Sequence, residues 1–137
     1  MQFVSPKVRG RRVPQTLDSG VELEPAKFVD FLLEDTVQGV AFATSGACLV
    51  NLPDPARLAV HDLVVYGQRP ISKQAKPIEP LMQAAALIEW HMDQQRVTHL
   101  HKVWHTASAR GAGTREGALR GCSALLELYP ALEPCFE

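Results

Sequence analysis

Apolar residues recur every three or four positions through the second half of the chain, which is the period of an amphipathic helix. The pattern predicts helices over residues 80–92, 97–109 and 114–129, with two glycines between the last two and Pro130 after the third. The residues predicted to face inward are Leu81, Ala84, Ala85, Ile88, Met92, Val97, Leu100, Trp104, Ala107, Ala118, Cys122, Leu125, Leu126 and Tyr129. Leu87 and Trp90 are predicted to widen the inner face of the first helix.

The first half of the chain has a different pattern. The apolar residues among 28–33 form a set wide enough for a short, mostly buried helix that begins at Pro25 and ends near Asp35. Its predicted solvated face consists of Asp30, Glu34 and Asp35. The following residues 36–42 are rich in β-branched and aromatic types, and Ser45-Gly46 separates them from the apolar run 47–52. This arrangement predicts an antiparallel β-hairpin. Gln2–Val4 could be the end of a strand, and residues 6–24 are predicted as a loop with a brief extended piece at 21–23.

A further helix is predicted between the hairpin and the helical half. Asp54 is suited to the N-cap and Pro55 to the first helical position. One face of this helix is apolar and should point into the core: Ala56, Val60, Leu63, Val64 and Gly67. Residues 70–77 then form a polar, basic connector.

These elements predict an α+β fold in which a short strand and a β-hairpin pack with helices. A C-terminal bundle of three to four helices follows. We expect an α/β portion over residues 1–52 and a helical portion over residues 53–137, together in one compact domain at this length.

Composition narrows the classes of function only slightly. A net charge of −1 gives no general argument for binding nucleic acid or an anionic membrane. Lys7, Arg9, Arg11 and Arg12 are clustered, which is typical of a solvated basic loop or of an arm that contacts phosphate. Three cysteines, an odd number without short spacing, indicate reduced thiols and a cytoplasmic protein. No apolar run is long enough for a membrane span.

Two groups of side chains are candidates for binding. His101 and His105 are four residues apart on one predicted helix face, a spacing that can hold a metal, but no matching carboxylate or cysteine accompanies them. The alternative is a helix with polar histidines. The second group is basic and could hold an anionic ligand such as a triphosphate, or could be a solvated polar face: Arg57, His61, Arg69, Lys73 and Lys76.

The residues from FVDFLLED through GVAFATSGACLVNLPDPARLAVHDLVVYGQRP to LMQAAALIE resemble the C-terminal portion of a family of uncharacterised bacterial proteins with the nucleotidyltransferase (polymerase β-like) fold. The resemblance covers residues 2–89 and keeps the order of the family's motifs. It implies transfer of a nucleoside monophosphate from a nucleoside triphosphate with Mg²⁺ held by carboxylates. It also implies that the basic group above contacts phosphate.

This sequence departs from the family pattern where the metal should be held. The family's Asp-x-Asp pair is not found, and Gln2 stands at the position of the third carboxylate. Asp62 replaces a lysine that follows His61 in relatives, and residues 77–80 replace a Lys-Asp pair. We therefore expect a truncated or degenerate relative that is not catalytic alone and retains phosphate contacts. The alternative is a small interaction module that pairs through the exposed edge of hairpin 37–52, with another copy or with a partner chain that completes the sheet.

Overall fold

In the computed structural model, residues 28–70 and 78–137 are described, together with the backbone of three short strands near the N-terminus. These strands are β1 (Val4–Pro6), β2 (Gln15–Thr16) and β3 (Glu22–Ala26). β3 lies between the other two, parallel to β1 and antiparallel to β2. The extended piece predicted at 21–23 is therefore a strand that continues to Ala26.

The prediction that a helix begins at Pro25 is wrong. Pro25 lies within β3, opposite Ser5 of β1, and helix α1 is confined to Val29–Leu33. The fixed φ of proline suits an extended strand as well as a first helical turn, so the residue alone does not distinguish them. Val29 and Phe31 of α1 are buried, as the apolar pattern predicted.

The predicted hairpin is confirmed. Strands β4 (Thr36–Ala43) and β5 (Gly46–Pro53) pair antiparallel in regular register, from Ala43 opposite Gly46 to Thr36 opposite Pro53. The connector is Thr44-Ser45, one residue earlier than predicted. Gly46 begins β5 with a φ of 141°, a backbone conformation that residues other than glycine rarely adopt.

Within residues 28–70 and 78–137, four helices follow the hairpin, and they confirm the predicted α+β class. They are α2 (Pro55–Gly67), α3 (Glu79–Asp93), α4 (Val97–Ala109) and α5 (Ala112–Leu128), and a 3₁₀ helix at Pro130–Cys135 comes after them. The predicted inner face of α2 is buried along its whole length. None of the helices in the described residues is long and apolar enough to cross a membrane.

Helix α2 is the centre of the core, and α5 is packed directly against its backbone. A Cβ atom added to Gly67 would lie 1.9 Å from the carbonyl oxygen of Gly117, and one added to Gly121 would lie 2.0 Å from that of Leu63. The two helices can approach so closely only because glycine has no side chain. Gln68 donates a side-chain hydrogen bond to the carbonyl of Gly113, which extends the contact by one turn.

The predicted inner residues of α3 are correct at four positions and wrong at the last. Leu81, Ala84, Ala85 and Ile88 are buried, but Met92 is 38% exposed. Of the two residues predicted to widen this face, Leu87 is half-buried, whereas Trp90 is 40% exposed, so the prediction is wrong for Trp90. The next buried residue along this face is His91. On α4 and α5, Val97, Leu126 and Tyr129 are half-buried, whereas the other predicted inner residues are buried.

Candidate functional site

The five basic residues proposed to contact phosphate start on α2 and continue past its end. Arg57 and His61 are four residues apart on α2 and so lie on the same side of the helix. The helix ends at Gly67, so Arg69 lies in the chain that leaves it. Lys73 and Lys76 lie outside the described residues. The stretch from 68 to 77 has three cationic residues and no carboxylate.

The guanidinium group of Arg57 is buried and is held by two carboxylates. Its Nη1 donates to the carbonyl oxygen of Phe31 at 2.9 Å and to Oε2 of Glu34 at 2.8 Å. Its Nη2 donates to Oδ2 of Asp35 at 3.1 Å. A phosphate group could reach these nitrogens only by displacing the carboxylates.

A second arginine, on the C-terminal side of α4, joins the same cluster. Arg110 lies 2.9 Å from Oε1 of Glu34, so this carboxylate bridges two guanidinium groups. Both guanidinium groups also lie over the ring of the buried Phe31, Arg57 at 4.9 Å and Arg110 at 5.3 Å from its centroid. The cluster of Phe31, Glu34, Asp35, Arg57 and Arg110, called the arginine clasp below, fastens the end of α1 to α2 and α4.

The other candidates on this side are less buried. His61 and Arg69 are half-buried, and both have interactions of their own. His61 Nδ1 lies 3.9 Å from Oδ1 of Asp62, and the guanidinium of Arg69 lies 5.7 Å from the centre of the Tyr66 ring. Asp62 therefore places a carboxylate beside His61.

A group of polar residues that the sequence did not single out joins the base of the hairpin to α3 and α4. Asp54 is the N-cap residue of α2, but its side chain makes no capping hydrogen bond. It accepts one from Nε2 of His99 at 2.8 Å instead. The His99 ring stacks on that of His91, with centroids 6.3 Å apart. His91 is fully buried and donates from Nδ1 to the carbonyl of Leu87 at 2.7 Å.

The spacing of Asp54 and His99 explains why this group was missed. The two residues are 45 positions apart, and a sequence pattern shows only neighbours along a helix or strand. Asp54 had been assigned to the helix cap because of its position before Pro55. The Asp54 side chain accepts its hydrogen bond from His99 on another helix, and helix α2 begins without a side-chain cap.

The two histidines with metal-binding spacing lie on α4. His101 is half-buried and His105 is exposed. Within residues 28–70 and 78–137, no group of three or more histidine, cysteine, aspartate or glutamate side chains is arranged to hold a metal ion. Gln2 lies outside these ranges. The described residues therefore do not fit a divalent-metal site of the kind that the family pattern implies.

The cysteines differ strongly in their surroundings. Cys48 is exposed on β5, whereas Cys122 and Cys135 are buried. Burial raises the pKa of the Cys122 thiol to about 11 and also raises the pKa of Cys135. Both buried thiols are therefore protonated at neutral pH and are poor nucleophiles.

Comparison with known proteins gives one match. A family model described as "Nucleotidyltransferase" matches residues 2–109, which include the hairpin and the helices α1 to α4. No curated protein and no solved structure matches the chain. The matched region contains all five basic candidates and every member of the arginine clasp except Arg110.

Proposed function

Because the chain belongs to this nucleotidyltransferase family, we propose that it uses the end of α2 and the following basic stretch to contact the phosphates of a nucleotide. We further propose that residues 1–137 do not catalyse nucleotidyl transfer by themselves, as a degenerate or truncated relative. The observation that carries the first part is the charge pattern. Arg69, Lys73 and Lys76 follow α2 within eight positions, with no carboxylate among them.

The arrangement suits an extended anion because arginine and lysine together neutralise several phosphate oxygens. His61, which lies on the same side of α2 as Arg57, adds an imidazole ring that can donate a hydrogen bond. Arg57 has a supporting role in this proposal. Its terminal nitrogens hold Glu34 and Asp35, and it fixes α1 against the helix from which the phosphate-binding stretch leaves.

The absence of catalysis is proposed from the sequence. Two-metal nucleotidyl transfer needs carboxylates that hold Mg²⁺ near both the attacking and the leaving oxygens. The Asp-x-Asp pair is missing from residues 1–137, and the described residues hold no metal-binding group. We therefore expect no release of pyrophosphate from ATP or GTP when this polypeptide is incubated with Mg²⁺ alone.

Calorimetry with ATP or GTP tests the phosphate contacts. Removal of one charge at a phosphate contact costs about 1 kcal/mol, so Arg69→Gln and Lys73→Gln should each weaken binding roughly fivefold. Lys102→Gln is the matched control, because Lys102 is an exposed lysine on α4 that is not part of the basic stretch, and its substitution should leave affinity unchanged. The proposal is wrong if no heat is detected up to millimolar nucleotide, or if the control weakens binding as much as the two test variants do.

A second candidate function is that of a small protein–protein interaction module that pairs through the edge of the hairpin. The observation that favours it is exposure: most residues of β4 and β5 are exposed, including five large apolar side chains. An isolated two-stranded hairpin is marginally stable in water, and an unprotected strand edge readily accepts another strand. Static light scattering tests this function, since a particle mass that stays monomeric at the highest soluble concentration would count against it.

A further inference from the structure

We infer that two copies of this chain associate by packing one side of their β4–β5 hairpins together, through Val40, Phe42, Ala47 and Leu49. This inference rests on the interaction role of the second candidate function, names a second copy as the partner, and places the contact on one face of the hairpin instead of its edge. These four residues, called the tip surface below, form two directly opposed pairs, Val40 with Leu49 and Phe42 with Ala47. Side chains of opposed residues point to the same side of a sheet, so the four lie on one face.

The tip surface holds the most exposed large apolar side chains of the described chain. Phe42 is 81% exposed and Leu49 is 71% exposed. Single exposed apolar residues are common on proteins, but a contiguous apolar cluster marks a contact surface. Pairing of the strand edges alone would leave the faces of Phe42 and Leu49 in water, whereas face-to-face packing buries both.

The charge of the hairpin favours a second copy as the partner. Residues 36–53 contain no aspartate, glutamate, lysine, arginine or histidine. Charged residues on exposed strands are the usual means by which proteins prevent association with their own copies. A second copy of this hairpin therefore meets no like-charge repulsion, and a strongly charged partner finds no complementary charge.

The area of the hairpin face that carries the tip surface determines how strongly two copies should associate. Eight-residue strands are about 27 Å long, so one face of the hairpin covers on the order of 300 Å². A standard stable interface buries about 800 Å² on each partner. Dimerisation through this face should consequently be weak, with a dissociation constant in the micromolar range or above.

Sedimentation or light scattering over a wide range of protein concentration tests the inference. Phe42→Lys should raise the dimer dissociation constant about tenfold or more, because each dimer would bury two lysines against an apolar face. Leu119→Lys is the matched control: Leu119 is a 49% exposed leucine on α5, and the same charge there should leave the constant unchanged. Both positions are exposed, so neither lysine should prevent folding.

The reactivity of Cys48 shows which face of the hairpin is covered in the dimer. It pairs with Ala41 and therefore points to the side opposite the tip surface. Because Cys122 and Cys135 are buried, a maleimide reagent should label Cys48 selectively, and at equal rates in monomer and dimer. A monomer at all concentrations, or a dimer that Phe42→Lys does not weaken, would overturn the inference. A dimer in which Cys48 is protected or cross-linked would also overturn it, while leaving association through the hairpin edge as a function.

Discussion

Gly121→Val should destabilise the protein by roughly 3 kcal/mol or more, a large effect for a single substitution. A Cβ atom at position 121 would lie 2.0 Å from the carbonyl oxygen of Leu63 and 2.6 Å from its carbonyl carbon. These are backbone atoms of α2, so no side-chain rotation can relieve the overlap. The two helices would have to separate, and their shared core residues would lose contact. Thermal unfolding followed by circular dichroism should show a fall in Tm of about 10 °C.

Gly113→Ala is the control for this prediction. Gly113 is on the same helix, but its nearest neighbour outside the helix would be the side-chain nitrogen of Gln68 at 3.6 Å from the new Cβ atom, an ordinary contact. Alanine is a better helix former than glycine by up to about 1 kcal/mol, so this variant should be as stable as the parent or slightly more stable. Equal losses in the two variants would show that helix α5 does not pack through Gly121.

The sequence predicted the helices well because hydrophobic periodicity is a local signal. It failed to predict the close contact between α2 and α5. Glycine has no side chain, so it allows two helix backbones to approach closely but adds nothing to a hydrophobic pattern. The family model also ends at residue 109, before α5 begins, although α5 packs against the centre of the core. Spacing of Gly113, Gly117 and Gly121 at four-residue intervals was the available signal.

His91 shows a second limit of pattern analysis. Positions 91 and 92 lie three and four residues after Ile88, so helical periodicity allows either of them to continue the inner face of α3, and the structure buries His91. The apolar pattern includes Met92 and passes over His91, because only apolar residues contribute to it. In the structure, Nδ1 of the buried histidine donates a hydrogen bond to the carbonyl of Leu87, one turn back along the same helix. Its Nε2 is buried without a hydrogen-bond partner among the described residues.

The candidate site was only partly predictable for a different reason. The basic residues were recognisable by type and spacing, but their partners come from other elements. Glu34 and Asp35 had been assigned to the solvated face of α1, whereas both contact Arg57, more than twenty positions away. The phosphate-contact role of the five basic residues stays a prediction.

Replacement of Arg57 by methionine should cost about 2 kcal/mol of stability, below the roughly 3–5 kcal/mol for breaking a fully buried ion pair. The difference arises because the carboxylates left behind are 49% exposed in Glu34 and 72% exposed in Asp35, so water solvates them after the change. The carbonyl of Phe31 also loses a donor. Urea unfolding of Arg57→Met measures the loss. Arg110→Met is the control, since Arg110 is more exposed and loses a single ion pair, and it should cost less than about 1 kcal/mol.

A double substitution of the two carboxylates that hold Arg57 decides whether Arg57 contacts phosphate directly. If it only supports the fold, Glu34→Gln combined with Asp35→Asn should lower stability and leave nucleotide affinity unchanged. If Arg57 binds phosphate, removal of the two competing carboxylates should raise affinity severalfold, because the guanidinium would be released for the ligand. Calorimetry and urea unfolding on one preparation separate the two roles. A folded Arg57→Met protein of parental stability that binds nucleotide fivefold more weakly would contradict the supporting role proposed for the arginine clasp.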